Sequence, residues 1–285
     1  MENEKKKTKT KRLVILLAML ALIVFMVALG GTTFAKYITS QKVDTKTATV
    51  AKWGFVVKAD GSKLFSEQYN HNVAVKADAE KIDIQAASDT LAPGSSGKVV
   101  FGVEGSAEVL ANISIEATGT KDVYLFGEGY GTSTTDAYYP VKWTLKTAST
   151  EAGLASATGT SYNNLAAAIA AVNAIKISYT KDSATTESTT GDIPVGATVS
   201  AYYELAWTWS FEDASITDKD AKDTLLGYAA NKADIGNYTV AANGTSVVDK
   251  GADPDVTTDD KTYNTSIELE FGLTVKVEQK QNAAA

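Results

Sequence analysis

Residues Val199 to Phe211, VSAYYELAWTWSF, alternate without interruption. Val199, Ala201, Tyr203, Leu205, Trp207, Trp209 and Phe211 fall on one face, and Tyr202, Glu204, Ala206 and Thr208 on the other. A period of two, rich in aromatic and β-branched residues, is the pattern of a half-buried strand. The apolar face mixes aliphatic side chains with indoles. That composition belongs to a core rather than to an exposed platform for stacking on sugars.

The same alternation recurs along the chain. It is found in Ala48–Val57 through Ala51, Trp53, Phe55 and Val57, and in Lys98–Val103 through Val99, Phe101 and Val103. It returns in Ala111–Ala117, Val141–Lys146 and Thr265–Val277. Leu91-Ala92-Pro93-Gly94-Ser95-Ser96-Gly97 is a turn by its proline and glycines. The short glycine-containing connection at Glu104–Ala107 predicts an antiparallel pair between the strands on either side of it. Ser161 reads as the N-cap of a helix over Tyr162–Ile175, and Asp218–Ala230 as a second short helix. Residues 118–140 and 231–262 read as irregular, and the Ser/Thr tract Thr180–Gly191 as a surface loop. Together these patterns predict an all-β chain with helical insertions. It would be a single antiparallel β-sandwich over residues 48–285, elaborated by a helix-containing stretch at about 118–198.

Residues 1–35 have the three parts of an export signal: a basic head, the uncharged run Leu13–Leu29, and a small-residue exit through Gly30-Gly31-Thr32-Thr33-Phe34-Ala35. As a helix the run is about 25 Å long, marginal for a roughly 30 Å hydrocarbon core. Cleavage after Ala35, leaving Lys36 first, is the leading reading. Ala28-Leu29-Gly30 is a second candidate exit, and an uncut single anchor with its basic end in the cytoplasm is the alternative. The remainder is then a secreted, extracellular or cell-surface protein. It begins with a polar arm at 36–47.

The chain carries −7, and because the head is +4 the rest is about −11. Such an acidic body lacks the basic footprint that nucleic acids and anionic lipid require. There is no cysteine and one histidine, His71. This excludes disulfides, thiolate metal sites, a cysteine nucleophile, HExxH zinc chemistry and most Ser-His-Asp arrangements. No cofactor is expected. Glu204 reads as a solvated strand residue. Asp218, Asp220 and Asp223 read as helix-start acids, with calcium ligation the weaker reading. Asp253, Asp255, Asp259 and Asp260 read as an acidic loop. Tyr130, Tyr138 and Tyr139, beside Gly129 and Gly131, are candidates for a surface contact.

In this order the motifs resemble the TasA and camelysin family of Gram-positive surface and biofilm-matrix proteins. The resemblance rests on the exit Gly30-Gly31-Thr32…Ala35 with Tyr37 beyond it, and on Ala48-Thr49-Val50-Ala51 at the entry to the first strand. It also rests on the Leu91-Ala92-Pro93-Gly94 turn followed by Phe101 and Gly105, and on the closing alternation Ile267–Val277. Residues 118–198 have no counterpart in it. The resemblance implies a jelly-roll fold, processing by a SipW-type signal peptidase, and self-assembly into fibres. In those fibres the freed arm, with Lys36, Tyr37, Ile38 and Val43, completes the sheet of a neighbouring copy. A metalloprotease label attached to camelysin-like members does not carry over, since the chain has no zinc-binding motif.

Two functions follow as expectations. One is a secreted structural subunit of an extracellular or biofilm-matrix fibre, with no enzymatic role. The other is a membrane-tethered adhesin or saccharide-binding β-sandwich.

Overall fold

The computed structural model describes residues 38–42, 48–49, 54–65, 73–74, 81–82, 91–251 and 260–280. The export segment with its Ala35 exit, Lys36, Tyr37, Val43, His71, Asp253, Asp255 and Asp259 lie outside them. Residues Thr39–Ala285 form one compact unit. Among the described residues, no helix is long and apolar enough to cross a membrane.

Among the described residues the chain is mostly β, in antiparallel sheets, with two α-helices. In order, the strands are β1 (Ile38–Lys42), β2 (Ala48–Thr49), β3 (Phe55–Asp60), β4 (Val73–Ala74), β5 (Lys81–Ile82), β6 (Ser96–Ser106), β7 (Ala111–Thr118), β8 (Tyr124–Gly127) and β9 (Val141–Ala148). After a 3-10 turn at Ala152–Ala155 come β10 (Thr160–Tyr162), helix α1 (Leu165–Asn173), β11 (Ile177–Lys181), β12 (Ala184–Ser188), β13 (Asp192–Ile193) and β14 (Thr198–Trp209). Helix α2 (Lys219–Asn231) then leads to β15 (Tyr238–Val240), β16 (Ser246–Asp249), β17 (Lys261–Ser266) and β18 (Gly272–Gln279).

The largest sheet runs β10-β9-β14-β6-β3-β2, and the β11-β12 hairpin joins it through β14. Its centre is β14, paired with β6 from Thr198↔Ser106 to Thr208↔Ser96 and with β9 from Tyr202↔Ala148 to Trp209↔Val141. Six of the seven residues of the predicted apolar face are buried in the core (Val199, Ala201, Tyr203, Leu205, Trp207 and Trp209), whereas Phe211 lies beyond the end of β14 and is half-buried. A second sheet runs β1-β18-β7-β13 and contributes Ile113, Leu273, Val275 and Val277 to the same core. The Trp143 and Phe271 rings meet at 5.8 Å. Each large side chain so buried contributes about 1.5–3 kcal/mol.

Three local expectations are corrected. The strands flanking Glu104–Ala107 do not pair with each other, because β6 lies in the large sheet and β7 in the second. Each has one apolar face, and the chain buries both by crossing between sheets. Ala107 anchors the crossing: its N–H donates to the Ala197 carbonyl, and its own carbonyl accepts from the Gly196 N–H. Glu104, Gly105 and Ser106 continue β6 rather than forming a loop. Gly105 has φ +150°, and a Cβ there would lie 1.8 Å from the Gly54 carbonyl oxygen, so only glycine fits.

The helix also starts later than Ser161, which sits in β10 opposite Thr144. Asn164 is the true N-cap, its side-chain oxygen accepting from the Ala167 N–H at 2.8 Å. The tract Thr180–Gly191 is largely a hairpin, turning at Asp182 and Ser183, both at positive φ. A strand polar on both faces leaves no apolar alternation to detect.

Helix α1 packs against β7 and β9, burying Leu165, Ala168 and Val172. Its last residue acts on the sheet. The Asn173 side-chain oxygen accepts from the Ala117 N–H at 2.7 Å, and its amide donates to the Ala117 carbonyl at 3.0 Å. One side chain thereby makes both bonds that a neighbouring strand would make to Ala117.

The third sheet runs β15-β16-β17-β8. Its inner face presents Leu125, Val240, Val247, Tyr263 and Thr265, all buried, and α2 packs there with Leu225, Leu226 and Ala229.

Candidate functional site

The predicted assembly arm is represented by β1, which takes the end position of the second sheet beside β18. Residues 38–42 of the polar arm are therefore strand in this single chain. An end strand has one side of its backbone unpaired within its sheet, the arrangement on which strand addition depends. At the other end of the sheet, β13 covers only Ala111 and Asn112, the Gly191 carbonyl accepts from the Ile113 N–H, and Asn173 satisfies Ala117.

The three candidate tyrosines do not form one surface. Tyr138 is buried, and its hydroxyl donates to Asp223 Oδ1 at 2.6 Å. Tyr130 is half-buried and stacks on Tyr263 at 5.5 Å. The Lys222 ammonium lies over both rings, 4.9 Å from the centre of Tyr130 and 5.5 Å from that of Tyr138. Tyr139, one residue on, pairs edge-to-face with Tyr124 at 5.9 Å, and its hydroxyl donates to the Thr134 carbonyl.

The acids near the start of α2 have separate roles. Asp218 is the N-cap residue but makes no side-chain cap bond. Asp223 is a hub, half-buried as a residue. Its Oδ2 pairs with the Lys219 ammonium, and its Oδ1 accepts from Tyr138 and from Trp209 Nε1 at 3.2 Å. Burial, then the bond to Asp223, pushes the Tyr138 phenol far above its ordinary range. Asp223 also lines an apolar cleft of about 680 Å³ with Phe65, Leu91, Pro93, Leu226 and Leu269. The other carboxylates of that wall are engaged too: Glu268 pairs with Lys121, and Glu270 accepts from Thr120. Among the described residues, no group of three or more His, Asp or Glu side chains is placed to hold a metal.

Glu204 is buried rather than solvated, despite its outward-facing register. It pairs with Lys98 at 2.7 Å and Lys146 at 3.0 Å, beside Leu154 and Ala155 of the 3-10 turn. Burial acts to raise its carboxyl, but the two ammonium groups prevail and hold it below the usual range. Asp122 is the opposite case. Its Oδ2 accepts from the Leu165 N–H at 2.7 Å, at the start of α1, and its Oδ1 from the Val123 N–H. Burial outweighs those bonds and the nearby Lys142, pushing its carboxyl up to about 6. Sequence reading missed Asp122 because its partner on α1 is distant in the chain.

Comparison with protein-family models, with characterised proteins and with solved structures finds no match to this chain.

Proposed function

We propose that the chain is a secreted structural subunit with a jelly-roll-like sandwich body. It assembles into extracellular or biofilm-matrix fibres by exchanging its N-terminal strand between copies. The observation that carries this reading is the place of β1: the first described strand, just beyond the Ala35 exit, at the end of a sheet beside β18. Cleavage after Ala35 would leave it on a short free arm. Passing the arm from each copy to the next gives a head-to-tail contact that does not close, which generates a filament. The export-signal pattern of residues 1–35 agrees with work outside the cell, and in a chain without cysteine packing rather than disulfides holds the body.

The test is electron microscopy of protein beginning at Lys36, beside a form lacking residues 36–47. Filaments from the first and none from the second are expected, with a synthetic 36–47 peptide capping growth when added in excess. Filaments that form equally well without the arm, or a protein that stays monomeric in every condition, would refute the reading.

A further inference from the structure

The third sheet has an outer face unlike any other surface of the fold described above. Strict alternation turns Leu125, Val247, Tyr263 and Thr265 inward, so their neighbours point outward. On β8 these are Tyr124 and Phe126. On β17 they are Thr262, Asn264 and Ser266, with Asn264 opposite Phe126 and Ser266 opposite Tyr124. Ser246, Val248 and Thr239 continue the face across β16 and β15. None of these positions is charged, in a chain that is 21% Asp, Glu, Lys and Arg. By contrast, the outward face of the large sheet carries Lys58, Lys98, Glu104, Lys146 and Glu204, and ion pairs cross it.

The aromatic side of this face is organised. The Tyr124 and Phe126 rings lie 5.9 Å apart at 25°, and Tyr139 closes on Tyr124 from the flanking segment, whose Tyr138 bridges to Leu125. Thr262 and Asn264 are exposed beside them. At the usual strand spacing the four strands make a face about 14 Å across, and the outward positions of β17 span about 14 Å along it.

We propose that this outer face binds an uncharged polysaccharide. Partly exposed aromatic rings offer flat apolar area to the C–H faces of sugar rings, while the amide of Asn264 and the hydroxyls of Thr262 and Ser266 meet sugar hydroxyls. Charge selects the class. The face offers a polyanion no unpaired ammonium, because Lys250 at its margin is held by Asp260 at 2.8 Å, and the net −7 of the chain repels it. A polycation would find better partners among the acids elsewhere. A neutral polyol is the ligand whose desolvation this surface can match without an ion. The site does not depend on whether the chain forms filaments.

The experiment is a depletion assay with the full chain and three insoluble neutral glycans: microcrystalline cellulose, chitin and cross-linked dextran. Carboxymethylated cellulose serves as the charged counterpart. Retention on at least one neutral glycan is expected, about tenfold weaker on the carboxymethylated form. Phe126→Ala and Thr262→Glu should each lower retention by about tenfold. Thr262 is exposed, so Thr262→Glu should leave the thermal melt unchanged and separates binding from folding. Three outcomes would overturn the site: no retention on any neutral glycan, Thr262→Glu binding like the parent, or a concentration-dependent dimer that Thr262→Glu abolishes. The last would make a second copy the occupant.

Discussion

Replacing Asp223 by alanine is expected to be among the most damaging single changes to the described body. The carboxylate is the shared partner of three groups from separate elements: Lys219 on α2, Tyr138 beside β8, and Trp209 at the end of β14. The side chains of Lys219 and Asp223 are only 7% and 9% exposed. Removing the acid strands a buried ammonium, which typically costs about 3–5 kcal/mol. The orphaned Tyr138 hydroxyl and Trp209 N–H would each add about 1–3 kcal/mol if water could not reach them. These costs overlap, because α2 can shift and admit water, so a loss of about 4–5 kcal/mol is expected. For a body of this size that is a fall in Tm of roughly 8–20 °C. Urea unfolding followed by tryptophan fluorescence measures it directly, since Trp209 is part of the hub. The double change Lys219→Met with Asp223→Leu removes the charges together and should recover the charge part of the loss, leaving the cost of the unpaired Tyr138 hydroxyl and Trp209 N–H. A loss below about 1 kcal/mol for Asp223→Ala, or a double variant no better than the single one, would show that the hub does not hold α2 to the sheet.

Two further outcomes follow from buried polar groups. The folded state raises the Asp122 carboxyl from its ordinary 3.8 to about 6, so the fold favours its protonated form. The contribution of this group is therefore fully present below about pH 4 and is lost as pH rises through 6, by about 3 kcal/mol in all. Asp122→Asn should remove that pH dependence, seen as a difference between parent and variant unfolding curves that changes between pH 4.5 and 8. A difference that stays flat refutes the assignment. Asn173→Ala should cost about 1–3 kcal/mol and speed hydrogen exchange at the Ala117 amide, whereas an amide as protected as in the parent would show that the side chain is dispensable at that edge.

The parts of the fold legible from sequence are those where a strand is long and one face is dry. β9 and β14 announce themselves through their own alternation, and the burial of Trp143 and Trp207 follows from it, whereas the run Thr265–Val277 that reads as one strand is split by 267–271 into β17 and β18 of different sheets. Alternation reveals a face but never a partner, which is why β6 and β7 read as a hairpin although they line different sheets. The strands β8, β15 and β16 have three or four residues each, too few for a period to emerge among their Gly, Thr and Asn neighbours. The outer face of the third sheet was illegible for a further reason. It exists only because Tyr124 and Phe126 come to lie opposite Ser266 and Asn264, far along the chain. Tyr138 and Tyr139 show the limit most plainly: adjacent in sequence and alike in chemistry, they point to opposite sides of one sheet.

The Asn173 amide has a consequence for assembly. With the two-residue β13 it closes the free side of β7, taking the Ala117 end with a side chain, while the opposite margin ends in β1, a strand that a copy could lend. The two margins are not equivalent, so a row of copies joined through β1 would have a head and a tail. Its two tips would present different chemistry to arriving copies and would lengthen at different speeds.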